Sequence, residues 1–351
     1  MEALEPFVVP SKNAVRKAGN VLRAENPSLD EYREAVELLS QWRALHSYPI
    51  NTFQAYLRGK IKRDKYPSAF VAQRLKRMPT IIKKLQRFPD MQLERMQDIG
   101  GIRVVLKHSK DVNALHKSIL KSKRFGHIPE LPPTDYIEKP KADGYRSLHQ
   151  VFKYANKTHP ELNGLRIELQ IRTALQHSWA TAVETLGIAE KSSFKTGEGS
   201  EQFKRFFKVS STLFSVDEGT PLLAEYEHMT KDELIKEFVT IEGDLQVFSK
   251  LRGLTVSAKY IERTSKSFDG YHLMELDLEK GKLSLIPFLD EQFESAEGLY
   301  LAREQATRDN PNISVVLISA GNVKDIKKAY PNYFLDTNSF IANLNRICGK
   351  A

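Results

Sequence analysis

The stretch Arg166-Ile167-Glu168-Leu169-Gln170-Ile171-Arg172-Thr173 alternates polar and branched apolar residues without a break. A period of two is that of a half-buried strand. Leu165, Ile167, Leu169 and Ile171 then face a core, while Arg166, Glu168, Gln170 and Arg172 share the opposite face. A solvated strand face usually carries Thr, Lys or Ser. A carboxylate with two guanidiniums and an amide pointing one way has the chemistry of a phosphate and metal site.

The chain around this strand has 351 residues, 41% hydrophobic and 28% charged, enough for two globular domains. No apolar run approaches a membrane span, and Met1 to Val9 carries Glu2 and Glu5 rather than a basic, then apolar, leader. A cytoplasmic protein without a membrane partner is therefore expected. The one cysteine, Cys348, excludes an intramolecular disulfide and a Cys-rich zinc site, so a metal would need oxygen or His ligands. The formal charge of +9 favours an anionic partner such as nucleotides or nucleic acid.

That charge is unevenly spread. Arg58 to Arg87 holds Lys60, Lys62, Arg63, Lys65, Arg74, Lys76, Arg77, Lys83 and Lys84 against Asp64, whereas acids recur from Asp217 onward. The shift predicts a basic domain over residues 1–215 and a more acidic one over 216–351, hinged near Gly219-Thr220-Pro221. Ser28 with Glu31, and Asn51 with Gln54, have capping-box spacing on either side of Pro49, predicting two helices. Phe70 to Lys76 alternates like a strand, and Pro79-Thr80 begins a helix that puts Thr80 and Lys84 on one face. Asp98-Ile99-Gly100-Gly101-Ile102-Arg103 leads into the apolar strand Val104 to Leu106, its paired glycines permitting close approach of a ligand or backbone. A loop from Lys139 to Gly144 precedes a strand pattern from Tyr145 to Tyr154, and a helix with His177, Trp179, Ala180 and Glu184 follows Thr173. The middle of the chain is thus expected to be α+β, with a mixed sheet. Taken singly, each motif has a plain structural alternative: a solvated basic face, a turn acid, a strand aromatic, an interfacial histidine.

Jointly the motifs resemble one family. Arg74-x-Lys76-x-x-x-Thr80-x-x-x-Lys84, Asp98-Ile-Gly-Gly-Ile-Arg103, Asp135-Tyr-Ile-x-x-Pro-Lys141-x-x-Gly-Tyr145-Arg-Ser-Leu-His149 and Glu168-Leu-Gln170-Ile-Arg172-Thr173 are similar, in order and spacing, to the synthetase domain of the RelA/SpoT alarmone synthetases. No His-Asp pair occurs, so the resemblance is to the small branch without a hydrolase domain. It implies an ATP-dependent pyrophosphokinase that moves the β,γ-pyrophosphoryl group to a nucleoside 3'-hydroxyl with Mg2+. Arg74, Lys76, Thr80, Lys84 and Arg103 would hold ATP, with the arginines flanking adenine and the lysines on phosphates. Asp98 and Glu168 would be catalytic and bind the metal, Glu168 also activating the hydroxyl. Lys141, Tyr145, His149, Gln170 and Arg172 would receive the acceptor, its base stacked on Tyr145. Thr80 stands where the family commonly has Ser, which keeps the hydroxyl. Asp143 stands where it commonly has Asn, which changes charge and donors near the acceptor and weighs against GDP or GTP.

Toward the C-terminus, strand patterns over Thr255 to Arg263, Tyr271 to Glu279 and Leu283 to Phe288, with a Lys280-Gly281 turn, precede a helix from Asp290 to Thr307. A buried-type strand, Ile313 to Ser319, and a helix from Val323 follow. These predict a smaller α+β domain, ending in the aromatic run Tyr330-Pro331-Asn332-Tyr333-Phe334. A plug for that domain is the structural explanation of the aromatics. The arrangement also resembles the CapRel branch, fused toxin-antitoxin proteins in which a pseudo-zinc-finger domain blocks the ATP site through a Tyr-x-x-Tyr motif, matched here by Tyr330 and Tyr333. That resemblance implies the tRNA 3' end as acceptor, inhibition of translation, and release by a phage protein, capsid or other, in antiviral defence. A (p)ppGpp synthetase with a regulatory C-terminal domain, and a nucleic-acid-binding module with a relic site, are the alternatives.

Overall fold

The structure is a computed structural model that describes residues 7–189, 201–257, 259–261, 270–277, 280, 282–307, 310, 313–319 and 337–349. Helices α1 (Lys12–Arg23), α2 (Leu29–Ala44) and α3 (Ser47–Arg63) come first. Ser28 and Glu31 form the expected capping box at the start of α2. The box expected at Asn51 and Gln54 does not form, because α3 already begins at Ser47. Pro49 falls in its first turn, where a backbone N–H has no helical acceptor to lose. Asn51 instead uses its amide within the fold, accepting from Gln73 Nε2 and donating to the Tyr271 hydroxyl, both at 2.9 Å.

A mixed five-stranded sheet follows, built from β1 (Phe70–Leu75), β2 (Gly100–Leu106), β3 (Ile128–Asp135), β4 (Leu148–Lys153) and β5 (Arg166–Thr173) in the order β1-β2-β5-β4-β3. Strands β2 and β5 are parallel; the other neighbours are antiparallel. Helix α4 (Met78–Arg87) joins β1 to β2, and α5 (Ser109–Leu120) leads toward β3. Ile102, Val104, Ile167, Leu169 and Ile171 are all buried with Leu22, Leu39, Ile50, Phe53, Leu57 and Leu115 from the helices. The alternation in β5 thus sends its apolar half into this core. Gly100 is needed there, since a Cβ would lie 2.8 Å from Ile167 Cδ1 and 3.1 Å from Ile50 Cδ1. The strand expected from Tyr145 is shorter, beginning at Leu148, and leaves Tyr145 on the preceding loop. Strand β3 carries Pro132-Pro133, which its edge position tolerates at a break in register between Glu130 and Thr134.

Helices α6 (Ala174–Ala189), α7 (Glu201–Glu218), α8 (Lys231–Leu245) and α9 (Val247–Ser257) build a second core. A division after residue 215 passes through the last turn of α7, whose Phe206, Phe207 and Phe214 pack with Trp179 of α6, Leu234 and Phe238 of α8 and Leu251 of α9. Helix α9 also runs to Ser257, where a strand was expected from Thr255. Beyond it, β6 (Lys259–Ile261), β7 (Gly270–Asp277), β8 (Lys282–Leu289) and β9 (Ile313–Ser319) form a second sheet in the order β6-β8-β7-β9, with α10 (Phe293–Ala306) between β8 and β9. Helix α11 (Asn338–Ile347) returns Phe340, Ile341 and Leu344 to the second core. The helix expected from Val323, and Tyr330 and Tyr333, lie outside the described residues.

The C-terminal sheet sits beside β1 and holds α10 against the N-terminal helices. The guanidinium of Arg43, fully buried, pairs with Glu304 Oε2 at 2.5 Å and donates to the Tyr300 hydroxyl. Glu304 Oε1 also accepts the Met78 N–H at 3.0 Å, so α10 caps the helix that carries Thr80 and Lys84. Among the described residues no helix is long and apolar enough to cross a membrane.

Candidate active site

Strand register decides which side chains share the uncovered face of the first sheet. Arg74 pairs with Gly101 and Ala72 with Arg103; Gly101 pairs with Glu168, Arg103 with Gln170, and Gln170 with His149. Paired residues point to the same side, so Arg74, Arg103, His149, Glu168 and Gln170 stand together. A cleft on that face is lined by Arg74, Lys76, Asp98, Arg103, Glu168, Gln170 and Glu184. Thr80, half-buried, lies one turn before Lys84 on α4, whose ammonium reaches the same cleft through Asp98.

Asp98 is clamped by two lysines. Its Oδ2 lies 2.8 Å from Lys76 Nζ, and Lys84 Nζ lies 3.0 Å from both oxygens. Burial alone would raise the Asp98 carboxyl, but the two ammonium groups overcome it and hold the group below its usual range. Burial pushes Lys76 below its usual range, with Asp98 opposing and the charges of Arg74 and Lys84 adding to the shift.

Glu168 is held from both sides. His149 Nδ1 lies 2.8 Å from its Oε1, and Gln170 Nε2 donates to Oε2 at 2.8 Å. Burial favours the neutral acid, yet these hydrogen bonds prevail over it and over the nearby Asp98 charge, so the carboxyl sits below its usual range. The other ring nitrogen of His149, Nε2, is 2.9 Å from the Tyr145 hydroxyl.

The loop before β4 presents Tyr145 through two side-chain turns. Asp135 Oδ1 accepts the N–H groups of Ile137 and Glu138, and Asp143 Oδ1 accepts the Tyr145 N–H at 2.9 Å. Between them Gly144 takes a φ of +93°, and a Cβ there would come within 3.0 Å of Ser211 Cβ and 3.2 Å of Trp179. Asp143 therefore serves the backbone, a task its oxygen shares with the Oδ1 of Asn. Lys141 Nζ lies 4.5 Å from the Tyr136 ring centroid and 5.2 Å from that of Tyr145.

Not every polar residue of β5 faces an open cleft. Arg166 pairs with Glu130 at 2.8 Å. Arg172 is buried under α6, where it donates to His177 Nδ1. Burial, and then the adjacent charge of Arg103, push its guanidinium down to about 9. Tyr136 and Glu184, named in the sequence only as parts of a motif and a helix, are additions to the site. Tyr136 packs edge-on to His149 at 5.2 Å and to Tyr145 at 5.9 Å, and Glu184 enters the cleft only because α6 folds back over β5.

The donor set suits a hard divalent cation. Asp98 and Glu168 supply carboxylate oxygen to one cleft, and no group of three or more His, Cys, Asp or Glu side chains placed to hold a metal occurs among the described residues. Mg2+ is commonly held by one or two carboxylates with substrate phosphates completing its shell, which matches this pair.

Comparison with known proteins agrees with this geometry. A model of the region found in RelA/SpoT proteins matches residues 73–199, the span that holds the cleft. GTP pyrophosphokinase YjbM of Bacillus subtilis is 31% identical over 190 residues, covering 52% of this chain and 84% of that protein. GTP pyrophosphokinase of Escherichia coli K12 is 28% identical over 167 residues, 48% of this chain and 20% of that protein. The crystal structure of small alarmone synthetase 1 from Bacillus subtilis aligns with 59% of this chain and 96% of its own, at 23% identity and a TM-score of 0.44. The chain belongs to the RelA/SpoT family and is a pyrophosphokinase.

Proposed function

We propose that this protein transfers the β,γ-pyrophosphoryl group of ATP to the 3'-hydroxyl of the tRNA CCA end. The observation that carries the chemistry is the single cleft that joins Asp98 and Glu168 to Arg74, Lys76, Lys84 and Arg103. The acceptor 3'-oxygen attacks the β-phosphorus in line and gives its proton to Glu168; the bond from that phosphorus to the α-bridging oxygen breaks, and AMP leaves with the electron pair. Arg74 and Arg103, on adjacent strands of one face, flank the adenine, while Lys76 and Lys84 receive phosphate oxygens. Bound Mg2+, held by Asp98 and Glu168, would neutralise charge on the transferring phosphates. Thr80 adds a hydroxyl donor one helical turn before Lys84. Tyr145 stacks the terminal base, with Lys141, Gln170 and Arg172 around its ribose and phosphate.

Support for tRNA as acceptor comes from the basic surface. Arg58, Lys62, Arg63 and Lys65 are exposed at the end of α3, beside exposed Lys117 of α5 and Lys121 just after it. Such a surface attracts a phosphate backbone in a salt-dependent way. The C-terminal, pseudo-zinc-finger-like part is the regulator. Its unit is β6 to β9 with α10, since α7, α8, α9 and α11 share one core with α6. Tyr330 and Tyr333 compete with ATP for the arginines of the cleft, and a phage protein, capsid or other, releases them in a cytoplasmic antiviral response that stops translation. The names of the relatives favour a second reading, a (p)ppGpp synthetase that uses GDP or GTP.

Glu168→Gln should abolish transfer to any acceptor while the circular dichroism spectrum stays unchanged. Wild-type turnover in that variant would remove Glu168 from the chemistry. Tyr333→Ala should make expression toxic without phage. Normal growth at equal protein level would count against autoinhibition.

A further inference from the structure

We propose that His149 is a positioning residue that links Tyr145 to Glu168, so that the ring receiving the acceptor base also aims the carboxylate that takes the acceptor's proton. This rests on the assignment of Glu168 as that base. The three side chains form one unbroken line across the cleft: Tyr145 hydroxyl to His149 Nε2 at 2.9 Å, and His149 Nδ1 to Glu168 Oε1 at 2.8 Å.

Direction along this line follows from donor and acceptor inventory. An ionised carboxylate only accepts, so Nδ1 carries a proton. Nε2, at the far end of the ring, meets the Tyr145 hydroxyl, which can donate or accept. The imidazole has little freedom to turn. Tyr136 and Tyr145 stand edge-on to it at 89° and 88°, and His149 projects from β4 directly opposite Gln170, the other residue bonded to Glu168.

The hydroxyl itself marks the coupling. Stacking on a base needs only an aromatic face, which Phe supplies as well as Tyr. Here the hydroxyl is spent on a histidine whose far nitrogen holds Glu168. A base that seats on Tyr145 fixes this ring, and through His149 it fixes the oxygen lone pair that Glu168 turns toward the 3'-hydroxyl. A mis-seated acceptor then meets a poorly aimed carboxylate.

The test uses the full chain carrying Tyr333→Ala, with Mg-ATP and either deacylated tRNA or GDP as acceptor. Each of Tyr145→Phe, His149→Ala, His149→Asn and Glu168→Gln is added to it. Tyr145→Phe and His149→Ala should each lower kcat by about tenfold or more, with the acceptor KM within about twofold. His149→Asn, whose amide can stand where Nδ1 stood, should recover most of the loss. In that background Tyr145→Phe should have no further effect, the non-additivity expected of one connected unit. Wild-type kcat in Tyr145→Phe, or a rise in KM alone, would overturn the link while an inactive Glu168→Gln left the base assignment standing. An active Glu168→Gln would instead remove the base assignment itself.

Discussion

Among the described residues Arg43, Arg146 and Arg172 are buried, and the first and last of them are treated in opposite ways. Arg43, at the junction with the C-terminal sheet, meets the carboxylate of Glu304 and the hydroxyl of Tyr300, and despite burial its guanidinium is held above its usual range. Arg172, buried under α6, donates to His177 Nδ1 and is pushed down to about 9 by burial first and then by the charge of Arg103, with Tyr145 and Glu184 opposing. A closed ion pair is a structural device whose charge is already answered.

The sharpest way to break this comparison is to neutralise each arginine. Arg172→Met should lower kcat by about tenfold or more, because the buried side chain that ties β5 to His177 of α6 behind the cleft is gone. Its thermal midpoint should fall less than that of Arg43→Met, since no carboxylate salt bridge is broken. Arg43→Met should do the reverse, retaining cleft chemistry but destabilising the fold by about 3–5 kcal/mol through the orphaned Glu304. Adding Glu304→Gln should return part of that loss. If both arginine variants lose stability and activity together, the distinction drawn here fails. Urea unfolding and initial rates on the same preparations provide both readouts.

Titration sharpens the junction side. His46, next in the fold to Arg43, is buried and pushed down to about 4 by burial first and the Arg43 charge second, despite its bond to the Trp42 carbonyl at 2.9 Å. Its folded value lies below the unfolded one of about 6.5, so the unfolded chain binds the proton first as pH falls. Stability should therefore be complete above about pH 6.5 and decline toward pH 4, by up to about 3 kcal/mol from this group. His46→Gln should flatten that decline in denaturant midpoints measured across the window; an unchanged slope would assign it elsewhere.

The smallest expected effect concerns Asp143. Because its oxygen caps the Tyr145 amide, Asp143→Asn should leave turnover within about twofold and acceptor preference unaltered. A switch in acceptor choice would instead make this residue a specificity element, as its charge alone suggested.

Legibility of these features in the sequence followed from how local their causes are. Strand β5 was readable because its period of two is written in consecutive residues, and the Ser28–Glu31 cap because both partners lie within one turn. Strand β3 was not, since Pro132-Pro133 reads as a breaker unless its edge position is known. Asn51 imitates a cap by spacing alone; its true partners are Gln73 and Tyr271. Clustering of Asp98 with Lys76 and Lys84 was legible through family motifs, whereas Arg43 with Glu304 spans 261 positions and leaves no local trace. Arg172 was placed on the correct face of β5, but its cover by α6 is a tertiary event.

Transfer of pyrophosphate to a tRNA 3' end is the activity proposed for this cleft. The most direct measurement incubates the full chain bearing Tyr333→Ala with γ-labelled ATP and Mg2+, offering deacylated tRNA, GDP and GTP in parallel. Label should appear on tRNA, be abolished when the terminal adenosine is removed and be absent with Glu168→Gln. Label on GDP or GTP alone would contradict it, and would make the protein an alarmone synthetase.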